Sequence, residues 1–291
     1  MTTTFTVADM TIHRVLESEG PILPALDAFP DLDPKVLAEN RAWLMPKALD
    51  AKDMLIFCVQ SYVVRTPHHT ILIDTCVGND KERPDEPPTW HRRTDTTYMR
   101  NLAAAGYAVD DIDYVMCTHL HVDHVGWNTR LENGRWAPTF PKARYLFTRD
   151  DYDHFSVEKA RAAMLPFIDS VLPIVEAKRA EIVAGDHQIG DHVRLMPTPG
   201  HTPGHVAVCL GRNGDHAVMA GDLMHWPLQT IYPELSPRFD VDKKKSAQTR
   251  RSFLERYCDT QTLCCTAHFP SPSVGCITRQ GNGFRCDEIG G

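Results

Sequence analysis

An α/β fold, in which mixed β-structure is layered with helices, is predicted by three features of the sequence. Short apolar runs rich in β-branched and aromatic residues alternate with helix-like stretches. Their alternation lacks the regular spacing of a βαβ repeat, which points to a mixed rather than a purely parallel sheet. Histidines and aspartates sit just beyond the ends of the runs, where a rigid scaffold presents chemistry on loops.

Met54 to Val77 reads as a β-hairpin, because "MLIFCVQSYVVRT" and "TILIDTCV" flank the short polar turn Pro67 to His69. Next, "DEPPTWHRRTDTTYMRNLAAAGY" opens as a proline-broken polar loop. Its second half, Thr96 to Ala105, has helical character and is closed by Gly106. Asp113 to Thr118, "DYVMCT", is a strand that delivers the chain into "HLHVDHVGW". Further strands are predicted at Ala143 to Thr148, His192 to Met196, Val206 to Leu210, Ala217 to Ala220 and Thr262 to Ala267, and helices at Val157 to Ile168 and Lys244 to Tyr257. No repeat or low-complexity tract divides the 291 residues. One catalytic domain, 1–291, is expected, with the N-terminal segment 1–53 and the loop 79–98 as insertions lining a pocket.

The formal net charge of −7 argues against general binding to nucleic acid or to anionic membranes, both of which reward a basic surface. No apolar stretch approaches the roughly 20 residues that span a bilayer, and the first 15 residues lack a signal-peptide pattern. Nine scattered cysteines, an odd number without a Cys-x-x-Cys pair, suit free thiols in a reducing compartment. A cytoplasmic protein is expected.

His119, His121, Asp123 and His124 form His-x-His-x-Asp-His in a chain with 15 histidines. At this chain's own frequencies the pattern arises by chance on the order of three times in a thousand, so a metal site is favoured over a solvated polar loop. If the segment is extended, side chains alternate: His119, His121 and Asp123 share one side and His124 diverges, so that one segment serves two metal positions. Four such residues cannot complete two sites of about four ligands each. Three later places offer more donors after apolar runs: His201 and His205 in "MPTPGHTPGH", Asp222 ending "AVMAGD" and His268 ending "LCCTAH".

This ordered series resembles the metallo-β-lactamase fold superfamily, and "ILIDTCVGN", Ile71 to Asn79, is similar to the family's strand ending in an Asp-Thr turn. The resemblance runs from roughly Leu55 to Gly275 and implies an αβ/βα sandwich of two mixed β-sheets flanked by helices. Carried over by position, it implies one metal on His119, His121 and His201 and a second on Asp123, His124 and His268, bridged by Asp222. Neutral imidazoles with few carboxylates suit zinc, so two Zn²⁺ per chain are expected, other divalent transition metals being alternatives. The ions would generate a bridging hydroxide as nucleophile, with Asp123 or a metal-bound water passing the proton to the leaving group. His205 is expected to support the site by hydrogen bonding, as the second histidine of that turn does in the family, and Asp74 to be a buried turn-stabilising carboxylate. His225, three residues after Asp222 in "GDLMHW", is expected near the site in a catalytic role.

Within the superfamily the residues discriminate further. Its oxygen-reducing di-iron members usually carry glutamate at the position of His121, and one large class of true β-lactamases has cysteine at that of Asp222. Glyoxalase II enzymes continue into a helical glutathione-binding region, whereas 23 glycine-rich residues come after His268. The chain thus resembles the acyl-homoserine lactonases and the related phosphotriesterases of the methyl parathion hydrolase group. The lactonases place a tyrosine where this chain has His225, which favours the phosphotriesterase side. A small neutral or apolar lactone or ester is the expected substrate, with Trp90, Trp127 and Trp226 as pocket walls. Arg92 and Arg93, beside Trp90, offer a hold for an anionic group. Readings from other classes are a mononuclear iron persulfide dioxygenase, using His119, His201 and Asp222, and a non-catalytic metal-binding protein. Homodimers are frequent in the family, but no stripe in this sequence marks a dimer face.

Overall fold

A computed structural model describes residues 3–157, 159 and 161–289. The chain divides into two compact units, Met1–Ser18 with Val59–Gly190 and Glu19–Cys58 with Asp191–Gly291.

The first unit is built on a seven-stranded mixed sheet in the order Thr4–Val7, Met10–Pro24, Met54–Arg65, Thr70–Ile73, Tyr114–Met116, Arg144–Thr148, Ala180–Val183. The unit boundaries fall inside its second and third strands. Met54–Arg65 and Thr70–Ile73 form the predicted antiparallel hairpin, while Tyr114–Met116 and the two strands after it run parallel. All four residues of Thr70–Ile73 are buried, which is why this strand reads as a continuous apolar run rather than an alternation. The helix predicted after the proline loop spans Thr97–Ala104 and ends before Gly106 at φ 92°, a left-handed conformation that glycine adopts without steric cost.

The loop 79–98 is anchored by its cations. Lys81 is fully enclosed: its ammonium donates to Thr129 Oγ1 at 2.5 Å and to the Asp169 carbonyl at 3.1 Å, and lies 3.5 Å over the Trp136 ring. Arg83 forks onto both Asp169 carboxylate oxygens at 2.7 and 2.9 Å. Burial, opposed by Asp169, brings the Lys81 pKa down to about 7.

The second unit holds the sheet Val193–Pro197, Val206–Leu210, Ala217–Met219, Leu263–Cys265, Val274–Gln280, Gly283–Glu288, antiparallel except where Ala217–Met219 meets Leu263–Cys265. Helix Lys243–Tyr257 begins at Asp242, whose carboxylate accepts from Lys245 N–H at 2.9 Å, and sets Phe253, Leu254 and Tyr257 into a core with Ala207, Val218, Cys264 and Phe284. Gly200 lies against the first turn of this helix: at φ 137° its hypothetical Cβ would fall 2.3 Å from Ser246 N, so only glycine fits. Helix Pro34–Leu44, capped by Asp33 with proline at its first position, belongs to a second apolar cluster with Phe29, Leu49 and Trp226.

Two expectations change. Residues 158 and 160 of the predicted helix Val157 to Ile168 lie outside the described residues; beyond them the chain forms a short helix, Arg161–Pro166, that passes into a π-helical turn, Phe167–Val171. The histidine segment is not extended throughout: His121 is the N-cap of a helical turn, Val122–Val125. Asp123 and His124 therefore diverge by the helical rotation of about 100° per residue rather than by strand alternation.

All nine cysteines are free thiols. No helix among the described residues is long and apolar enough to cross a membrane.

Candidate metal centre

The first unit carries His119, His121, Asp123 and His124 on the loop after Tyr114–Met116. All are buried except His121, which is partly exposed. Asp74, at the end of Thr70–Ile73, organises them. At φ 58° its backbone is left-handed, a conformation that costs a non-glycine residue energy and is held here by the contacts of its side chain. Its Oδ1 accepts from Thr118 N–H at 2.7 Å and its Oδ2 from the Thr118 hydroxyl at 2.9 Å; Oδ2 also lies 2.9 Å from His124 Nδ1. Thr118 Oγ1 in turn is 3.1 Å from His119 Nδ1. With both Nδ1 atoms engaged in these contacts, Nε2 is the nitrogen that His119 and His124 could each offer a metal. His119 Nε2 faces His121 Nδ1 at 3.1 Å.

The loop after this turn is locked by backbone contact. A Cβ on Gly126 would lie 1.8 Å from the Val77 carbonyl oxygen, so the Asp74 turn and the histidine loop meet where no side chain intervenes. Trp127 stacks on Tyr98 at 5.4 Å and donates its indole N–H to Glu17 Oε1 at 2.7 Å. Burial raises the Glu17 carboxyl despite this bond, the nearby Arg93, and the amides of Val77 and Gly78. Trp90 is likewise buried.

The second unit gathers its donors around Asp222. His268 Nε2 lies 2.9 Å from Asp222 Oδ1, while His201 Nε2 at 3.2 Å and His225 Nε2 at 3.1 Å approach Oδ2. The donor atoms of Asp222, His225 and His268 all fall within 4.8 Å of one another, and all three residues are buried. Through their other ring nitrogens, His201 Nδ1 is 2.9 Å from Asp240 Oδ1, and His268 Nδ1 is 2.8 Å from the Cys58 carbonyl. His205 behaves differently. Its Nε2 accepts the Asp222 amide proton at 2.9 Å and its Nδ1 pairs with Thr198 Oγ1 at 2.8 Å, which leaves neither nitrogen for a metal.

This arrangement fits a cation. A buried carboxylate ringed by three imidazole Nε2 atoms needs positive charge between them, from protons or from a metal. Burial lowers the His201 imidazole, but hydrogen bonding and charge from Asp222 and Asp240 overcome it and lift its pKa to about 9. The carboxylates that favour a proton there favour a divalent ion for the same reason. His225 goes the other way: burial, together with the neighbouring His201 and His268, brings it to about 4 against the charge and hydrogen bond of Asp222. Its ring is stacked on His268 at 5.5 Å and tilted against Phe239 at 5.1 Å.

The Metallo-beta-lactamase superfamily profile matches residues 58–260. The chain belongs to that superfamily. An N-acyl homoserine lactonase of a Bacillus species is 26% identical over 167 residues, covering 54% of this chain and 59% of that protein. The N-acyl homoserine lactonase AiiA of Bacillus thuringiensis subsp. kurstaki is 26% identical over 172 residues, 56% of this chain and 62% of its own length. The chain therefore matches about three fifths of these relatives. Among solved structures, AidC, a dizinc quorum-quenching lactonase in complex with a product, superposes with a TM-score of 0.81 at 18% identity, covering 99% of this chain and 97% of the other. The hydrolase AbOPH gives 0.83 at 21% identity with the same coverage. The metallo-β-lactamase fold, with mixed sheets flanked by helices, is thereby established.

Sequence reasoning missed several residues that shape this superfamily site. Asp240 comes 39 positions after His201 with no motif around it. Phe57, whose ring stacks 3.9 Å from His268, sits inside an ordinary strand pattern. The carboxylate of Asp151, which accepts the Leu120 amide at 3.2 Å, lies in the first turn of helix Arg149–Ser156. Trp226, by contrast, was expected as a pocket wall; it is fully enclosed in the apolar cluster of the second unit and donates its indole N–H to the Ala48 carbonyl at 2.8 Å.

Proposed function

We propose that the protein is a dinuclear metal-dependent hydrolase that opens a lactone or cleaves a related neutral ester. The observation that carries this reading is the Asp222 carboxylate, whose two oxygens face different imidazoles, His268 on Oδ1 and His201 on Oδ2, as a carboxylate shared by two ions requires. One ion would be held by His119, His121 and His201, the other by Asp123, His124 and His268. Two zinc ions so bound would acidify a shared water into a nucleophile near neutral pH and polarise the carbonyl oxygen of the substrate.

The chain's own residues do the rest. Asp123 accepts the proton from the attacking water and returns it to the leaving alkoxide. His225, packed against His201 and His268, would donate a hydrogen bond to the substrate's second oxygen. Phe57 and Phe239 make the surroundings of His225 and His268 apolar, which excludes water and favours an uncharged substrate. Nine free cysteines support a reducing compartment, the cytoplasm. Similarity to N-acyl homoserine lactonases supports a lactone as the first substrate to try, and aryl esters and aryl phosphotriesters come next.

The test joins elemental analysis of the purified protein to a hydrolysis panel of an acyl-homoserine lactone, a γ-lactone, an aryl ester, an aryl phosphotriester and a β-lactam. Two ions per chain, with turnover of one of the first four lost to chelator and restored by metal, is the expected result. One iron per chain with a silent panel overturns the reading in favour of a mononuclear oxygenase.

A further inference from the structure

Asp240 lies in "SPRFDVD", a stretch with no metal motif, yet its two carboxylate oxygens face two buried partners. Oδ1 is 2.9 Å from His201 Nδ1 and Oδ2 is 3.4 Å from Arg250 Nη2. Both the Asp240 and Arg250 side chains are completely enclosed. Arg250 reaches in from helix Lys243–Tyr257 and spends its remaining donors on the Leu223 carbonyl at 2.5 Å, the Pro233 carbonyl at 2.7 Å, the Leu235 carbonyl at 3.0 Å and the Ser246 hydroxyl at 3.0 Å. Leu223 is the residue after Asp222.

A buried guanidinium is a costly way to tie loops together, since an apolar side chain of similar volume is often as stabilising. What an apolar side chain cannot do is hold a carboxylate in one orientation and a carbonyl beside Asp222 at the same time. We infer that Asp240 and Arg250 form a positioning pair for the metal centre. Asp240 keeps His201 as the Nδ1–H tautomer with Nε2 turned to Asp222, and Arg250 fixes both Asp240 and the Leu223 carbonyl next to Asp222. The inference rests on the dinuclear reading. Neither residue touches substrate. Their contribution is to the orientation and donor strength of one ligand and to the placement of another.

Zinc affinity is measured by competition with a chromogenic chelator, alongside the unfolding midpoint of the metal-free protein, for the wild type, Asp240→Asn, Asp240→Glu, Arg250→Lys and the Asp240→Asn/Arg250→Lys pair. Asp240→Asn is expected to weaken at least one of the two ions by roughly 10–100-fold. Asp240→Glu should recover part of that loss, and the double variant should lose less than the product of the single losses. Should a variant fail to fold, nitrogen NMR of the zinc-loaded wild type reads the His201 tautomer directly, with Nδ1 protonated and Nε2 on the metal.

Affinities within twofold of wild type, whatever the unfolding midpoints, or the opposite tautomer, overturn the pair's role while leaving the dinuclear reading intact. A wild-type protein that takes up no metal overturns both.

Discussion

His124 Nδ1 lies 2.9 Å from Asp74 Oδ2, although fifty positions separate the two residues. The same carboxylate holds Thr118, whose hydroxyl meets His119, so one side chain orients two candidate ligands. Replacing it should disturb the metal more than the fold. Asp74→Asn is expected to weaken metal binding by roughly 10–100-fold, measured by chelator competition, with Asp74→Ala weaker still. Wild-type affinity in both variants would separate Asp74 from the site.

His205→Ala should have the reverse profile. Both of its nitrogens are engaged within the protein, and its loss leaves the buried Asp222 amide without its acceptor. A destabilisation of about 1–3 kcal/mol by urea unfolding is expected, with metal stoichiometry unchanged. Loss of one ion from this variant would show that His205, rather than His201, is the ligand of the turn.

The donors along the chain were legible because four of them sit in six consecutive positions and the rest end apolar runs, so motif order carried the information that spacing alone does not. Orientation was not legible. Asp240 and the Cys58 carbonyl reach His201 and His268 only through tertiary folding, and neither residue has a local pattern. The helical turn at Val122–Val125 was hidden because four residues are too few to show a period. The long strand Met10–Pro24 was concealed by "SEGPILP", in which glycine and two prolines read as loop. The final hairpin, Val274–Gln280 with Gly283–Glu288, did carry a signal in the "QGNG" turn between two β-prone runs.

Gly126→Ala places a methyl 1.8 Å from the Val77 oxygen and 2.6 Å from Gly78 N, contacts that only backbone movement relieves. The cost should reach or exceed the ~3 kcal/mol at the upper end of ordinary overpacking. Expression, unfolding midpoint and metal uptake should all fall. Gly20→Ala, where the added methyl meets nothing within 4 Å, is the control and should leave all three unchanged.

Lys81 gives stability a pH dependence. Its pKa falls from 10.5 unfolded to about 7 folded, so between those values the unfolded chain binds a proton that the folded one does not. Stability from this site is therefore fully present above 10.5, declines by about 1.4 kcal/mol per pH unit as pH falls toward 7, and changes no further below. Urea unfolding of Lys81→Met across pH 7 to 10 should show a shallower rise than wild type. Parallel profiles would contradict it.

Asp222→Ala removes the carboxylate that three imidazoles approach. At least one ion per chain and nearly all hydrolysis should be lost, as in His121→Ala, and added zinc should raise the thermal midpoint of wild type but much less that of Asp222→Ala. Wild-type turnover by either purified variant would sink the dinuclear mechanism.

The groups behind the candidate ligand imidazoles are chemically unequal: a hydroxyl for His119, a carboxylate for His124, a carboxylate for His201 and a main-chain carbonyl for His268. On the proposed assignment each ion receives one carboxylate-backed histidine, His201 for the first and His124 for the second. The backing is thus alike at the two positions, but the second adds the anionic Asp123 where the first has the neutral His121, so a titration of the metal-free protein should fill the second position at lower concentration than the first.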